Sequence, residues 1–322
     1  HTDSPCLKLK PNSLYKANGY WQLGVEVYGG VLLNPWFDRD LSLAGRVTCR
    51  SRTGKLFNKL LNIERPIAVI PSLAIHLDRE ANKKRSINEQ TYLPPILGLS
   101  GDELDLKTLI QEHLASEEDD KKDLDIIDFE LSLYPSERAS IIGLNNEFIA
   151  GARLDNLLSC FTACRTILDT KAKTNQLIIC NDHEEIGSGS TSGARGTFLR
   201  DVLTRLLADE EKRIQAIAKS VLTSTDNAHG IHPNFADKHD ARHGPRLNQG
   251  PVIKINSNQA YATNSETSAL FRLAAEKAGV AVQTFVTRTD LGCGSTIGPL
   301  TATAIGVRTA DVGVPTFAMH SI

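Results

Sequence analysis

The sequence predicts an α/β protein, and the evidence is the way apolar runs are spaced along its second half. From residue 145 onward, short strand-like runs alternate with helix-like stretches such as residues 196–208 and 265–278. Such alternation is typical of helices packed on a sheet. We therefore predict a layered α/β domain formed by residues 1–12 and 140–322.

A different texture in the first half predicts a β-rich insertion over residues 13–139. Its short β-like runs are separated by turn residues such as Gly29-Gly30 and Thr53-Gly54. These runs cover residues 22–27, 43–49, 67–70 and 125–133. The charge run over residues 116–123 is expected to be a solvated loop.

Acidic residues follow several predicted strands of the α/β part. The apolar run 177–180 reads as a buried strand, and Asp182, Glu184 and Glu185 come just after it. The run 221–225 ends at Asp226, and the run 314–319 ends at His320. Ligands of open α/β sheets bind beyond the carboxyl ends of strands. We therefore expect these side chains to lie at one site.

Two further segments supply candidate ligands. The sequence opens with His1-Thr2-Asp3, and positions 1 and 3 of a strand face the same side, so Asp3 is placed to orient the His1 ring. Asp155 precedes a helix-like apolar stretch, where it either caps the helix or acts as a ligand. Histidines with several carboxylates suit a pair of zinc-like ions, with one glutamate left as a general base.

With these segments, the sequence resembles the aspartyl aminopeptidases, a family of dizinc enzymes. The matching segments run in family order over essentially the whole chain and include Asp182-His183-Glu184-Glu185 and Met319-His320. They lie at residues 1–5, 151–157, 182–188, 226–229 with 232–234, 250–256, 292–299 and 319–322.

The resemblance implies a three-layer metallopeptidase domain with a mixed sheet, interrupted by a β-rich dimerisation domain. It implies Glu184 as the general base and Asp155 as a ligand shared by two divalent ions, which are expected to be Zn²⁺. One ion is then held by His1, Asp155 and Asp226, and the other by Asp155, Glu185 and His320. The resemblance also implies that the family's sequences continue beyond both termini of this one. Segments missing from the interior are equally compatible with its continuous numbering.

Substrate contacts are also implied by the resemblance. Lys254 lies between isoleucines in a predicted strand, so it is either an edge-strand charge in water or, by resemblance, the group that binds an acidic first residue. His76 is either an ordinary strand histidine or a residue that reaches a neighbouring subunit's active site. Gly294 and Ser295 suit a close backbone approach to substrate. His229 is expected to support the metal site, whereas the loop containing His239 and His243 is expected to hold no metal.

Composition limits the function classes. The formal net charge of −2 gives no electrostatic basis for binding nucleic acid or an anionic membrane surface. No apolar run is long enough for a transmembrane helix. The six dispersed cysteines favour a reducing, cytoplasmic location.

The leading hypothesis is a metallo-aminopeptidase that removes Asp or Glu from peptide amino termini. It is expected to work as a homo-oligomer, for which the family implies a dodecamer built from dimers. Alternatives are a broad-specificity aminopeptidase acting on neutral residues, a dinuclear-metal carboxypeptidase or deacylase, and an inactive assembly or cargo protein.

Overall fold

A computed structural model describes residues 1–115, 125–171 and 173–322 of the chain. The charge run predicted at residues 116–123 lies outside the described residues. The fold divides into two compact units. The first unit comprises His1–Ser4, Gly143–Glu147 and Arg153–Met319, and the second comprises Pro5–Ile142, Phe148–Ala152 and His320–Ile322.

The second unit is built on an antiparallel sheet of six strands. Its strands in chain order are β1 (Cys6–Ala17), β2 (Tyr20–Tyr28), β3 (Leu41–Arg50), β4 (Leu56–Asn62), β5 (Ile96–Leu99) and β6 (Asp125–Pro135). They lie side by side in the order β4-β3-β6-β1-β2-β5. This unit also contains α1 (Glu89–Tyr92), α2 (Leu106–Ala115) and a hairpin of β7 (Ser140–Ile142) with β8 (Phe148–Ala150).

Helix α2 packs on the core of that sheet because its apolar residues repeat at helical spacing. Leu106, Ile110 and Leu114 are buried, and they belong to the same cluster as Leu43 and Leu131 of the sheet. Residues four apart lie on one face of a helix, so these three side chains cover the sheet together.

The first unit contains a mixed sheet, as the fold class predicted. Its strands are β9 (Val221–Thr225), β11 (Val252–Lys254), β12 (Gln283–Phe285) and β13 (Arg308–Gly313), in the order β12-β11-β13-β9. Strand β11 runs parallel to β12 and antiparallel to β13, and β13 runs parallel to β9. A two-stranded ladder joins β10 (Ala228–His229) to β14 (Pro315–Thr316).

Helices of this unit follow the predicted pattern with small shifts at their ends. They are α3 (Leu154–Asp169), α4 (Phe198–Leu206), α5 (Glu210–Lys219), α6 (Ser265–Lys277) and α7 (Ile297–Ile305). Helix α6 begins where the Asn264 side chain accepts the Thr267 N–H and the Thr267 hydroxyl accepts the Asn264 N–H. Gly306, with φ +71°, ends α7.

Three of the predicted strands are wrong or shortened. Residues 177–180 form no strand, and Leu177 and Ile178 are 48% and 38% exposed. Among the described residues no strand pairs with this run, and apolar composition without a neighbouring ladder does not make a strand. The run 314–319 pairs only at Pro315–Thr316, because the backbone leaves the strand before Ala318, whose φ is +48°. Residues 67–70 form isolated bridges to neighbouring segments.

One boundary of the sequence-based division and the predicted strand position of His76 also differ from the structure. Residues 5–12 belong to the second unit, since most of them form β1 and pair with β2 in one continuous strand. His76 lies in an exposed turn, not in a strand. The segment 71–78 has no ladder partner among the described strands, so its apolar residues do not extend the sheet.

Across the residues that the structure describes, no helix combines the length and the apolar character needed to cross a membrane.

Candidate metal centre

The candidate centre is assembled by segments of the first unit that are far apart in the chain. Strand β9 ends at Thr225, which places Asp226 at its carboxyl end. Asp155 lies in the first turn of α3, but its φ and ψ of −87° and 105° are not helical, and its peptide bond to Asn156 is cis. The Asn156 side-chain amide donates to the Thr225 carbonyl oxygen at 2.9 Å. This bond joins the start of α3 to the end of β9.

The His1 ring is the centre of the cluster. It is buried, and its Nε2 lies 3.4 Å from an oxygen of Asp155 and 3.4 Å from an oxygen of Asp226. Its Nε2 also lies 3.8 Å from Oε2 of Glu184. Burial lowers the pKa of His1, but hydrogen bonds with Asp155, Asp226 and Asp3 outweigh burial and raise that pKa well above its usual range.

Asp3 connects two parts of the site. Its Oδ1 lies 3.3 Å from His1 Nδ1, so the carboxylate stands beside the ring. Its backbone carbonyl oxygen is closer still, 2.9 Å from the same nitrogen. The two carboxylate oxygens also accept the backbone N–H groups of Glu184 and Glu185, each at 3.1 Å. One aspartate therefore orients the ring and fixes the glutamate pair.

The two glutamates lie on a tight turn. Glu184–Ile186 forms one turn of 3₁₀ helix between His183 and Gly187, which have φ of +57° and +93°. Burial raises the pKa of Glu184 to about 7, and the charge of Asp226 contributes in the same direction. A carboxylate with a pKa near neutrality is suited to accept a proton and release it again.

Lys254 is buried, with its side chain 3% exposed. Its strand β11 lies between β12 and β13, so the edge-strand interpretation is wrong. The ammonium nitrogen lies 3.3 Å from an Asp226 oxygen and 2.7 Å from the Asn227 carbonyl oxygen. Burial raises the pKa of Asp226, but the Lys254 charge and the bond with His1 outweigh it and hold this pKa well below its usual range.

The donor set fits divalent metal ions. One ligand atom each from His1, Asp155 and Asp226 lies within 4.8 Å of the others, and the same holds for His1, Glu184 and Glu185. Carboxylate oxygens and imidazole nitrogens are ligands that zinc accepts. The carboxylates of the cluster outnumber Lys254 and the His1 ring, and buried negative charge needs compensation. Dications supply it.

A cavity of about 340 Å³ lies in the same unit. Its lining includes His229, Tyr261, Phe285, Gly292 and Gly294. The Tyr261 ring lies beside Lys254, whose ammonium nitrogen is 5.3 Å from the ring centroid. His229 is at the cavity wall, and burial followed by the Lys254 charge lowers its pKa. The Ser295 hydroxyl instead donates to the Ala260 carbonyl oxygen at 3.2 Å.

Two predicted residues belong to the second unit. The His320 ring Nδ1 lies 2.8 Å from the Gly30 carbonyl oxygen. His76 lies on the exposed turn described above. Their predicted roles at the centre therefore rest on the sequence resemblance.

Sequence reasoning missed Tyr261 and Asp311. Tyr261 contacts Lys254 from a loop that follows β11, and a lone loop tyrosine carries no sequence signal. Asp311 is fully buried within β13. Its signal was an aspartate among the apolar residues of a strand-like run.

Fold and centre together define a metal-dependent hydrolase of the α/β class. A family model described as "Aminopeptidase I zinc metalloprotease (M18)" matches residues 1–322. The chain belongs to this M18 family.

Relatives by sequence agree with this membership. Over 324 aligned residues the chain is 57% identical to a "Probable M18 family aminopeptidase 2" of Pseudomonas syringae pv. tomato, with 100% of the chain and 75% of the relative covered. A protein of the same description from Pseudomonas fluorescens is also 57% identical over the same shares.

Solved structures share the fold. A chain in the cryo-EM structure of the Ape4 and Nbr1 complex superposes with a TM-score of 0.93 at 41% identity, covering 99% of this chain and 66% of that one. An M18 aminopeptidase of Thermotoga maritima gives a TM-score of 0.83 at 26% identity, covering 100% and 74%. The Saccharomyces cerevisiae mApe1 dodecamer gives 0.79 at 27% identity, covering 100% and 73%.

These comparisons confirm the predicted enzyme class and the predicted cofactor. The chain is a metallo-aminopeptidase, a hydrolase of peptide bonds. Its cofactor is zinc, and the two-ion site expected from the sequence agrees with the family and with the clustered ligand groups. The carboxypeptidase and deacylase alternatives are thereby set aside.

Proposed function

We propose that this aminopeptidase removes aspartate and glutamate from the amino termini of peptides, and that Lys254 recognises the acidic side chain. The observation that carries the proposal is the buried Lys254 ammonium beside the cavity wall. An ammonium group has three N–H donors. Asp226 and Asn227 accept two of them, which leaves a third for a substrate carboxylate.

We propose further that one zinc ion is held by His1, Asp155 and Asp226, and the other by Asp155, Glu185 and His320. The clustering of His1, Asp155 and Asp226 supports the first set. The assignment of His320 is supported by the family motif around Met319-His320.

Glu184 is the proposed general base. Zinc lowers the pKa of a nearby water molecule and polarises a carbonyl group. The Asp3 carboxylate accepts the backbone N–H of Glu184. This bond fixes the Glu184 backbone, so the Glu184 side chain is held in place before substrate arrives. Glu184 then accepts a proton from water and passes it to the leaving amine.

The second unit is the proposed site of self-association, with His76 acting on a neighbouring subunit. The turn that carries His76 exposes Leu73, Ile75 and Leu77, which are 61%, 47% and 76% exposed. Contiguous exposed apolar side chains mark interaction surfaces. The related mApe1 forms a dodecamer, and we propose that this protein forms a dodecamer built from dimers.

One observation favours broad specificity as the second candidate. Lys254 already contacts Asp226 and Asn227, so its charge is partly compensated before substrate binds. A catalytically inactive assembly protein is less consistent with the chain, because Glu184 and the ligand residues are all present.

A cytoplasmic location is also proposed. It is supported by the six cysteines, which form no disulfide in the described residues.

The test compares chromogenic aspartyl, glutamyl, leucyl and alanyl substrates on the zinc-loaded, full-length protein. A kcat/KM for the acidic pair at least about tenfold above that for the neutral pair, which is about 1.4 kcal/mol of discrimination, supports the proposal. A preference for leucyl substrates selects broad specificity, and no turnover of any of the four would contradict both specificities.

A second experiment tests the role across subunits. Chains carrying Glu184→Gln and chains carrying His76→Phe are each expected to be inactive. Hybrid assemblies place an intact Glu184 beside a neighbour's intact His76 and are expected to recover activity. Failure to recover activity in assemblies shown to be mixed would contradict action across the interface.

A further inference from the structure

Asp311 is a fully buried carboxylate that the proposed chemistry does not use. It lies in β13, with none of its side chain exposed to solvent. A buried carboxylate is costly unless donors surround it. The groups that donate hydrogen bonds to the Asp311 carboxylate therefore identify the segments that it holds in place.

The first group held by Asp311 is the turn after β11. Asp311 Oδ2 accepts the Ala262 N–H at 2.5 Å. The Thr263 hydroxyl accepts the Asp311 backbone N–H at 2.8 Å and donates to its carbonyl oxygen at 3.3 Å. These bonds fix residues 262 and 263, and the preceding residue is Tyr261, which lines the cavity.

The second group is the loop before α7. Asp311 Oδ1 accepts the hydroxyl of Thr296, the residue before α7, at 2.8 Å. The first turn of α7 also lies against the carboxylate, since a Cβ built on Gly298 would come within 2.2 Å of Oδ1. A carboxylate at a helix amino terminus is favoured by the helix dipole. The loop that ends at Thr296 contains Gly292 and Gly294, which line the same cavity.

We propose that Asp311 is a positioning residue for substrate binding, because it holds the Tyr261 turn and the glycine loop, two walls of one cavity, in fixed register. It touches no substrate and acts through these walls. The inference rests on the proposed function in one respect, that the cavity receives part of the substrate.

The main test uses Thr296→Val, which removes one bond to Asp311 with little change of volume. The expected result in the zinc-loaded, full-length protein is a KM for aspartyl substrate raised about five- to tenfold, with kcat within about twofold and zinc content unchanged. The matched control is Thr309→Val. Thr309 is buried on the same strand, and its hydroxyl donates to the Val307 carbonyl oxygen. Its loss is expected to leave KM unchanged.

Two variants of Asp311 itself separate hydrogen bonding from charge. In Asp311→Asn the amide oxygen accepts the Ala262 N–H, and the amide NH₂ donates to the Thr296 hydroxyl, which can accept. This variant is expected to keep KM within about threefold of the wild type. Asp311→Ala loses both bonds and is expected to raise KM more than Thr296→Val does. An Asn variant as impaired as the Ala variant would overturn positioning by hydrogen bonds.

Hydrogen–deuterium exchange provides a readout that does not depend on turnover. Peptides covering residues 259–264 and 291–297 are expected to exchange faster in Asp311→Ala, and the second peptide faster in Thr296→Val. Unchanged exchange in Thr296→Val would overturn this inference and leave the proposed function intact. Faster exchange with an unchanged KM would overturn the link to substrate binding. Wild-type preference for leucyl substrates would instead contradict the proposed function and leave the positioning of the walls intact.

Discussion

The Asp3 carboxylate shows how much of the candidate centre depends on one short side chain. It stands 3.3 Å from the His1 ring and accepts the backbone N–H groups of Glu184 and Glu185. A carboxylate beside a metal-binding histidine orients the ring. Here the same group also fixes the backbone of Glu184, the proposed general base.

Replacing Glu184 by glutamine is expected to retain zinc and lose most of the turnover. The substitution keeps the shape of the side chain but removes the proton acceptor, and general-base catalysis is typically worth roughly 10²–10⁴-fold. Steady-state kinetics and elemental analysis on one preparation check this prediction. Glu276→Gln, an exposed position on α6, is the matched control. A Glu184→Gln variant with near-normal kcat would show that another group is the base.

Replacing Lys254 by leucine is expected to reduce acidic specificity selectively. Truncating one member of a buried charge pair typically costs roughly 2–5 kcal/mol. The kcat/KM for aspartyl substrate is therefore expected to fall on the order of 30-fold or more, and that for leucyl substrate much less. Since Lys254 also contacts Asp226, zinc content must be measured in parallel. Equal losses on both substrates would assign Lys254 to the support of Asp226.

Gly250 is the entry point of β11, the strand that ends at Lys254. Its φ is +92°, and a Cβ there would lie 2.0 Å from the Ala281 carbonyl oxygen of the segment leading to β12. Glycine is needed at this position for its left-handed backbone conformation. It is also needed because the backbone of the segment around Ala281 approaches so closely.

Gly250→Ala is accordingly expected to lower the free energy of unfolding more than Gly279→Ala does. Gly279 also has a positive φ, +68°, but an added Cβ meets nothing within 4 Å. The control therefore carries only backbone strain, about 1–2 kcal/mol, whereas overpacking at Gly250 adds about 1–3 kcal/mol. Urea unfolding of both variants checks the order. Equal losses would mean that the neighbouring backbone yields without cost.

Helices and strands were predictable from the sequence where the apolar pattern of a segment matched the element it forms in the structure. The sequence predicted α4 and α6 from helical spacing, and it predicted β3 and β9 from strand-like runs whose ladder partners lie in the same unit. It failed at residues 177–180, because the apolar run carries no information about whether a strand pairs with it. Asp226 was predicted from its place after β9, whereas the contact between Lys254 and Asp226 depends on sheet order. That order is not encoded in the spacing of either segment.

Zinc removal is expected to destabilise the first unit. Its candidate ligands come from segments around residues 1, 155, 185 and 226, so bound metal stabilises the folded arrangement of all of them. A ligand at a hundredfold excess over its Kd contributes about 2.7 kcal/mol, and the midpoint of thermal unfolding is expected to fall on the order of 5 °C or more on chelation. Differential scanning calorimetry with and without EDTA measures this. Asp155→Ala, with the shared ligand removed, is expected to respond little, and an equal response would contradict the assignment.

The division of the chain into two units affects the order in which its parts can fold during translation. His1–Ser4 belongs to the first unit, yet nearly all of the second unit, from Pro5 to Ile142, is translated before the rest of the first unit. Domains generally fold in the order in which they emerge during synthesis. The six-stranded sheet can therefore form while the nascent chain is still growing, and His1 must wait for Asp155, Glu185 and Asp226 to emerge. The candidate metal centre can accordingly assemble only after the strands of the second unit have emerged from the ribosome.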